Sequence, residues 1–178
     1  MLKLNVDDEI ELALVHESFC SRYEELARED YEHLAKWLTW PPFVKSRDDF
    51  LRFVRQSLCD YADEKSMMCG ILFRGELVGN ICFKSIDRTL KKVEIGYWLT
   101  SSHQGKGIIT RACQKLIGIA FTEMGMEKIE MSVAENNFPS RAVCERLGMT
   151  LESIVTNAES LNGQMVNHAI YGLQKVAP

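Results

Sequence analysis

The sequence predicts one mixed α/β domain, of the α+β kind, spanning residues 1–178. Three observations predict it. A chain of 178 residues with 46% apolar and 26% charged side chains can bury one sizeable core and is too short for two. Between residues 66 and 100, short apolar runs are separated by turn residues, the pattern of an antiparallel meander. Beyond residue 100 the apolar spacing alternates between helix and strand periods, giving helix, strand, helix and two closing strands.

Taken in order, residues 9–15 read as a strand and residues 16–38 as helical material, in which Phe19, Tyr23, Leu26 and Ala27 keep helical spacing. Thr39-Trp40-Pro41-Pro42-Phe43 ends it, because proline lacks an amide donor and pushes the residue before it toward extended geometry. Helix resumes near Ser46, a good N-cap, with Phe50, Phe53, Val54, Ser57 and Leu58 on one face. The meander runs through SMMCGILF, a turn at Arg74-Gly75-Glu76, LVGNICFKSI, a polar turn at residues 87–91, and VEIGYWLT. Residues 107–124 form an amphipathic helix whose apolar side, Ile109, Ala112, Cys113, Leu116, Ala120 and Met124, must lie on the sheet. Residues 127–134 alternate Ile129, Met131 and Val133 with Glu130 and Ser132, as a strand does. Asn137 then caps a second helix, in which Pro139 is tolerated in the first turn, Ala142, Val143 and Leu147 face inward, and Gly148 marks the end. Residues 150–155 and 165–173 read as two closing strands joined around Asn162-Gly163.

Composition excludes several function classes. Lys and Arg total 21 against 25 Asp and Glu, a net charge of −4, without the basic stripe that a phosphate backbone requires, so no direct nucleic-acid partner is expected. The widest charge-free stretch, residues 160–174, is polar and too short to span a bilayer, so no membrane partner is expected. MLKLNVDDEIEL carries acidic residues where a signal peptide would be apolar, which points to the cytoplasm. Cys20, Cys59, Cys69, Cys82, Cys113 and Cys144 form no CxxC pair and have no histidine cluster beside them; they read as reduced core thiols. His16, His33, His103 and His168 show no i,i+4 pair, so neither a metal site nor a His-centred triad is read from them.

The segment LTSSHQGKGIIT, residues 99–110, runs from a strand end through a glycine loop into a helix. Its chemistry is that of an anion site. Glycines let backbone approach a ligand, first-turn N–H groups of a helix lack internal partners, and the helix dipole favours negative charge there. A pyrophosphate would fit, and an ordinary tight turn with a glycine N-cap accounts for the same two glycines. The spacing is neither that of a P-loop nor the GxGxxG of a dinucleotide fold.

Gln104-x-x-Gly107-x-Ile109 resembles the Q/R-x-x-G-x-G/A loop of the GNAT acetyltransferase superfamily. The strand EIGYWL (94–99), the loop QGKGIITRAC (104–113), and Asn137-x-x-Ser140 followed by Glu145-Arg146-Leu147-Gly148-Met149 come in that family's order and spacing. Nearly the whole chain can be laid along its fold. Ile109 stands where many members carry Gly or Ala, which bears on how closely the backbone can approach a ligand there. GKGIIT nevertheless is similar to the variant of the RimJ/RimL-like branch, named for ribosomal-protein N-terminal acetylation, as are AESLNG (158–163) and KWLTWP (36–41).

The resemblance implies a single GNAT domain whose central mixed, mostly antiparallel sheet is flanked by helices. It implies acetyl transfer from acetyl-CoA to an amine. The amides of Gln104, Gly105, Lys106, Gly107, Ile108, Ile109 and Thr110 would hold the pyrophosphate, and the backbone of Tyr97, Trp98 and Leu99 would pair with pantetheine. The strands ending at Leu99 and Ala134 would splay apart to admit the cofactor arm, with backbone N–H groups polarising the thioester carbonyl.

Direct attack needs a neutral amine, a base or water chain to take its proton, and a donor to the departing thiolate. By resemblance to the RimL-type pattern AExLNG, the base is Glu159, expected just past a closing strand; a solvated turn carboxylate is the plainer alternative. The N-x-x-S match gives Ser140 as the thiolate donor, and a first-turn serine bonded to local backbone fits its place equally well. Glu94, alternating with Ile95, is a second candidate base or a buried structural carboxylate. Asn137 caps its helix and, in the family, its position contacts the pantetheine arm. Trp37 and Trp40, with Phe43, flank the proline pair and would form either the mouth of the acceptor site or core packing. An α-amino acceptor, with a free pKa of about 7.7–8.0, asks less of the base than a lysine side chain does.

The expectation is an acetyl-CoA-dependent N-acetyltransferase without a metal, acting in a ternary complex on a protein N-terminus. Small amines (polyamines, amino acids or aminoglycosides) are the alternative acceptors, and a non-catalytic acyl-CoA-binding module is the rival from another class. Family resemblance suggests a homodimer.

Overall fold

The structure, a computed structural model, describes residues 2–176. Along it run β1 (Lys3–Asn5), β2 (Ile10–Leu14), α1 (Cys20–Glu29), α2 (Tyr31–Ala35), α3 (Arg47–Ala62), β3 (Met67–Phe73), β4 (Glu76–Asp87) and β5 (Lys92–Leu99). They are followed by α4 (Ile108–Thr122), β6 (Lys128–Ala134), α5 (Phe138–Arg146), β7 (Thr150–Leu161) and β8 (Gln164–Gln174). The strands form one eight-stranded sheet in the order β1-β2-β3-β4-β5-β6-β8-β7. Every neighbouring pair is antiparallel except β5–β6, which is parallel and connected through α4.

The meander and the two later helices fall where the sequence places them. Differences lie in the first third and at the end. β1 escapes the sequence because its three residues, KLN, hold one apolar side chain; β2 supplies the pairing that defines it. The helical stretch expected over residues 16–38 is instead a 3₁₀ turn at Glu17–Phe19 followed by α1 and α2, which break at Asp30. Asp30 has φ −115° and ψ 26°, and its carboxylate accepts from the amide and the hydroxyl of Ser101, both at 2.6 Å. A tertiary contact therefore sets the break, and no local pattern announces it.

α3 starts as expected: Ser46 Oγ accepts from Asp49 N at 3.3 Å, while Asp49 Oδ2 accepts from Ser46 N at 3.0 Å, a complete capping box. Phe50, Val54 and Ser57 face inward. In α4 the buried row is Ile108, Ile109, Ala112, Cys113, Leu116 and Ala120; the helix stops at Thr122, so Met124, expected within it, lies just beyond and is half-buried. Asn162 and Gly163 take φ 52° and 78°, the left-handed pair that a two-residue hairpin loop needs.

β7 continues to Leu161, six residues past the expected end at 155. Thr156-Asn157-Ala158 interrupts the alternation because it is an irregularity inside the strand: Val155 stands opposite His168, and Glu159 opposite Val166. Glu159 thus lies within the strand and not beyond it.

Successive strand residues point to opposite faces. One face carries the larger core, in which Ile95 and Leu99 of β5, Met131 of β6 and Tyr171 of β8 pack with α4 and α5. The other packs Leu77 and Trp98 against Tyr23 of α1 and Phe50 and Val54 of α3. Five cysteines are buried as expected; Cys59, on α3, is exposed and is not a core thiol. No helix among the described residues is long and apolar enough to cross a membrane.

Candidate active site

The parallel strands β5 and β6 keep register only at Lys92–Lys128, Val93–Ile129 and Glu94–Glu130. Beyond those pairs β5 runs on to Leu99, still paired with β4, and β6 runs on to Ala134, still paired with β8. The two strands therefore part, and a wedge-shaped gap opens in the middle of the sheet. From Ile95 onward the edge of β5 facing the gap has no pairing with β6, so its backbone groups are open to an extended ligand.

At the wide end of the gap, β5 passes through Thr100 and a 3₁₀ turn at Ser101–His103 into the glycine loop. Gly105 and Gly107 hold φ 75° and 70°, a conformation that strains any side-chain-bearing residue. Gly107 is the N-cap of α4 and offers no capping side chain, leaving the first-turn amides of Ile108, Ile109 and Thr110 without that partner. Ile109 is buried in the core, so its side chain turns away and only its backbone faces the loop. Open amides at the positive end of a helix, next to unpaired strand backbone, fit the pyrophosphate and the amide-bearing arm of a CoA thioester.

Arg111 braces the loop. Its guanidinium donates to Asp7 Oδ2 at 2.8 Å, to Glu9 Oε2 at 3.1 Å and to the Lys106 carbonyl at 3.2 Å. Glu9, which accepts from Arg74 and from Arg111, is held below the usual carboxylate range. His33 Nε2 lies 3.1 Å from the Leu99 carbonyl; since a carbonyl only accepts, that imidazole nitrogen carries the proton and donates it there. α2 is thereby tied to the end of β5 from which the loop departs.

Two hydroxyls meet across the gap. Ser140, in the first turn of α5, has its amide capped by Asn137 Oδ1 at 3.3 Å, and its Oγ lies 2.5 Å from the phenol of Tyr97 on β5. Burial pushes the Tyr97 phenol far above its ordinary value, so it stays protonated. Sequence reasoning used only the backbone of Tyr97. Its side chain was legible as lying on the Ile95–Leu99 face, but its partner, 43 residues away, was not.

The other face of the sheet holds a carboxylate on β7, whose partner His168 stands on β8 opposite Ala134, the last residue of β6. Glu159 Oε2 lies 3.1 Å from His168 Nε2, with the two side chains 30% and 17% exposed. His168 alternates with Ala169 and Tyr171, which belong to the α4–α5 core, so the pair lies on the opposite face from Ser140. No sequence spacing links positions 159 and 168, and no His-centred group was expected; the structure brings this histidine to the candidate base.

Glu94 goes elsewhere. It occupies the closed end of the gap opposite Glu130 and pairs with Lys84 Nζ at 3.3 Å, beside a row in which Lys92 and Lys128 hold Glu130 at 2.9 and 3.0 Å. It lies on the face away from Tyr97. Trp98 and Trp40 pack ring against ring, centroids 5.8 Å apart, with Tyr23 behind at 5.9 Å, so Trp40 joins an aromatic wall on the Glu159 face. Trp37 is not part of that wall: it lies under Lys36 Nζ at 5.2 Å. A cavity of 280 Å³ opens between Thr39, Pro42 and Phe43 and the β7–β8 tip at Ser160, Asn162 and Gly163, which Asn162 Nδ2 ties to the Ala35 carbonyl at 2.9 Å.

A parallel strand pair that splays beside a glycine-rich helix N-terminus defines a class of CoA-thioester-dependent acyltransferases, and the chain belongs to the GNAT acetyltransferase family: residues 21–150 match the acetyltransferase (GNAT) domain. It is an acetyl-CoA-dependent N-acetyltransferase. The ribosomal-protein-serine acetyltransferase of Escherichia coli (strain K12) is 33% identical over 159 residues, 89% of each chain. The crystal structure of the microcin C7 self immunity acetyltransferase MccE in complex with acetyl-CoA and AMP is 32% identical, with a TM-score of 0.91 over 96% of this chain and 94% of that one. RimL, a ribosomal L7/L12 alpha-N-protein acetyltransferase, in complex with coenzyme A, is 26% identical, with a TM-score of 0.93 over 97% of this chain and 98% of that one.

Proposed function

We propose that this enzyme, one domain over residues 1–178, acetylates the N-terminal α-amine of a ribosomal protein in the cytoplasm by direct attack within a ternary complex. The observation that carries this reading is the placement of two proton-handling pairs, Glu159–His168 and Tyr97–Ser140, on opposite faces of the sheet that the gap divides. An amine reaching the gap from the Trp40 side meets a proton acceptor, and the group leaving on the α5 side meets a donor. Similarity to the E. coli ribosomal-protein-serine acetyltransferase and to RimL supports the acceptor class.

In this reading the amides of residues 104–110 hold the pyrophosphate, the backbone of Tyr97, Trp98 and Leu99 pairs with pantetheine, and Asn137 contacts that arm while capping α5. Acetyl-CoA supplies a thioester carbonyl carbon for attack and a thiolate as leaving group. As the nitrogen–carbon bond forms and the carbon–sulfur bond breaks, Glu159 takes the proton lost by the amine. Ser140 gives its proton to the departing sulfur while Tyr97, kept protonated by burial, donates to Ser140 Oγ. Exchange with solvent then removes the proton from Glu159 and returns one to Ser140. Trp40 lines the mouth of the acceptor site, and family resemblance supports a homodimer, which sedimentation at equilibrium tests.

A second reading, a small-molecule amine as acceptor, is supported by similarity to the spermidine N(1)-acetyltransferase of Escherichia coli (strain K12), 26% identical over 93 residues, 52% of this chain and 50% of that one. Thiol release from acetyl-CoA separates them, with peptides beginning in Ser or Ala, spermidine, free amino acids and an aminoglycoside as acceptors. Selective turnover of a peptide supports the proposal. Selective turnover of a small amine replaces the acceptor, and CoA binding without any turnover favours a non-catalytic module.

A further inference from the structure

We propose that His168 is the positioning residue for Glu159, and that the irregularity in β7 exists to bring the two together; the inference rests on the reading of Glu159 as the base. A carboxylate can only accept, so at 3.1 Å the His168 Nε2 carries the hydrogen and donates it to Glu159. One oxygen of Glu159 is thereby held. The other, Oε1, has no hydrogen-bond donor among the described residues, which leaves it free to receive a proton from the acceptor.

The backbone around the pair is built for this contact. Between Val155–His168 and Glu159–Val166, three residues of β7 face the single residue Asn167 of β8. In an unbroken register Glu159 would stand opposite Gln164, two residues or about 7 Å further along the strand and beyond reach of His168. The insertion makes Glu159 the diagonal neighbour of His168 on the same face, a distance that long side chains bridge.

Asn167 holds the irregularity in place. Its Oδ1 accepts from the amide of Asn157, which sits at φ 50°, its Nδ2 donates to Glu135 Oε2 at 3.0 Å, and its carbonyl accepts from Glu135 N at 2.8 Å. Residues 150–158 are all exposed, so none of them anchors this arrangement in the core. Its structural product is the aim of Glu159.

The test uses the intact enzyme with the acceptor that turns over fastest in the panel above. H168A is expected to lower kcat ~10- to 100-fold while KM for acetyl-CoA stays within about twofold, a loss smaller than that of removing the base itself. H168Q, whose amide nitrogen reaches close to the Nε2 position, should recover most of that loss, and H168A in an E159Q background should cost nothing further. Wild-type kcat in H168A, equal losses in H168Q and H168A, or an added loss in the double variant overturns the proposal. Full turnover in E159Q overturns the reading of Glu159 as base instead. Imidazole ¹⁵N shifts give a readout that needs no acceptor: an Nε2–H tautomer at His168 supports the proposal, and an Nδ1–H tautomer overturns it.

Discussion

Tyr97 and Ser140 come from different strand–helix units and share a 2.5 Å hydrogen bond between hydroxyls across the gap that separates β5 from β6. Either atom can donate. Because burial keeps the phenol protonated, Tyr97 can supply its hydrogen to Ser140 and leave the serine hydrogen for the departing sulfur. S140A should therefore lower kcat ~10- to 100-fold and Y97F about 10-fold, each with little change in KM for the acceptor. Steady-state kinetics on both variants, with far-UV circular dichroism as the control for folding, checks this.

Gly107 makes a prediction about binding alone. At φ 70° a β-branched residue costs at least ~1–2 kcal/mol of local strain, so G107V should weaken CoA about 10-fold or more. E159Q, on the opposite face and away from the loop, should bind CoA as wild type does. Isothermal titration of CoA into the two variants separates the loop from the base.

The brace around Arg111 predicts a pH dependence. Glu9 ordinarily titrates near 4.5 and is held lower in the folded chain by Arg74 and Arg111. A depressed carboxylate stabilises the fold above its unfolded pKa, and that contribution disappears as pH falls through the folded value. The melting temperature of the wild type should therefore drop more steeply below about pH 4.5 than that of R111A, which lacks the pair. Differential scanning calorimetry from pH 6 to pH 3 compares the two slopes.

Thiol reactivity follows burial. Burial raises Cys69 to about 12 and Cys82 to about 11, and Cys20, Cys113 and Cys144 are raised by the same cause, whereas Cys59 stands exposed on α3. Titration of the native enzyme with an aromatic disulfide reagent should release one equivalent rapidly, and C59S should release none until the chain is unfolded.

What the sequence made legible is what local chemistry controls. Ser46, Gly107, Asn137 and Asn162-Gly163 each act on backbone within a few residues, and each is found doing so. Helical spacing likewise put Ile109, Ala112, Cys113, Leu116 and Ala120 on the face of α4 that lies on the sheet. The break at Asp30 depends on Ser101, the aim of Glu159 on Asn167 and His168, and the burial of the Tyr97 phenol on Ser140. Those relations join residues that only the folded sheet makes neighbours, and single-residue spacing carries no trace of them. Glu94 shows the same limit: it pairs with Lys84, a partner on the next strand that alternation cannot distinguish from any other surface lysine.

Tyr97 and Trp98 are consecutive in the chain, yet the pleat of β5 sends one to the α5 side and the other to the aromatic wall. The two halves of the site are thus written as odd and even letters of a single strand, interleaved and not separated. A substitution in β5 can alter one half and spare the other. A single-residue deletion ahead of Tyr97 would exchange them, delivering the phenol to the acceptor side and the indole to the thiolate side, so this strand can vary in spelling but not in length.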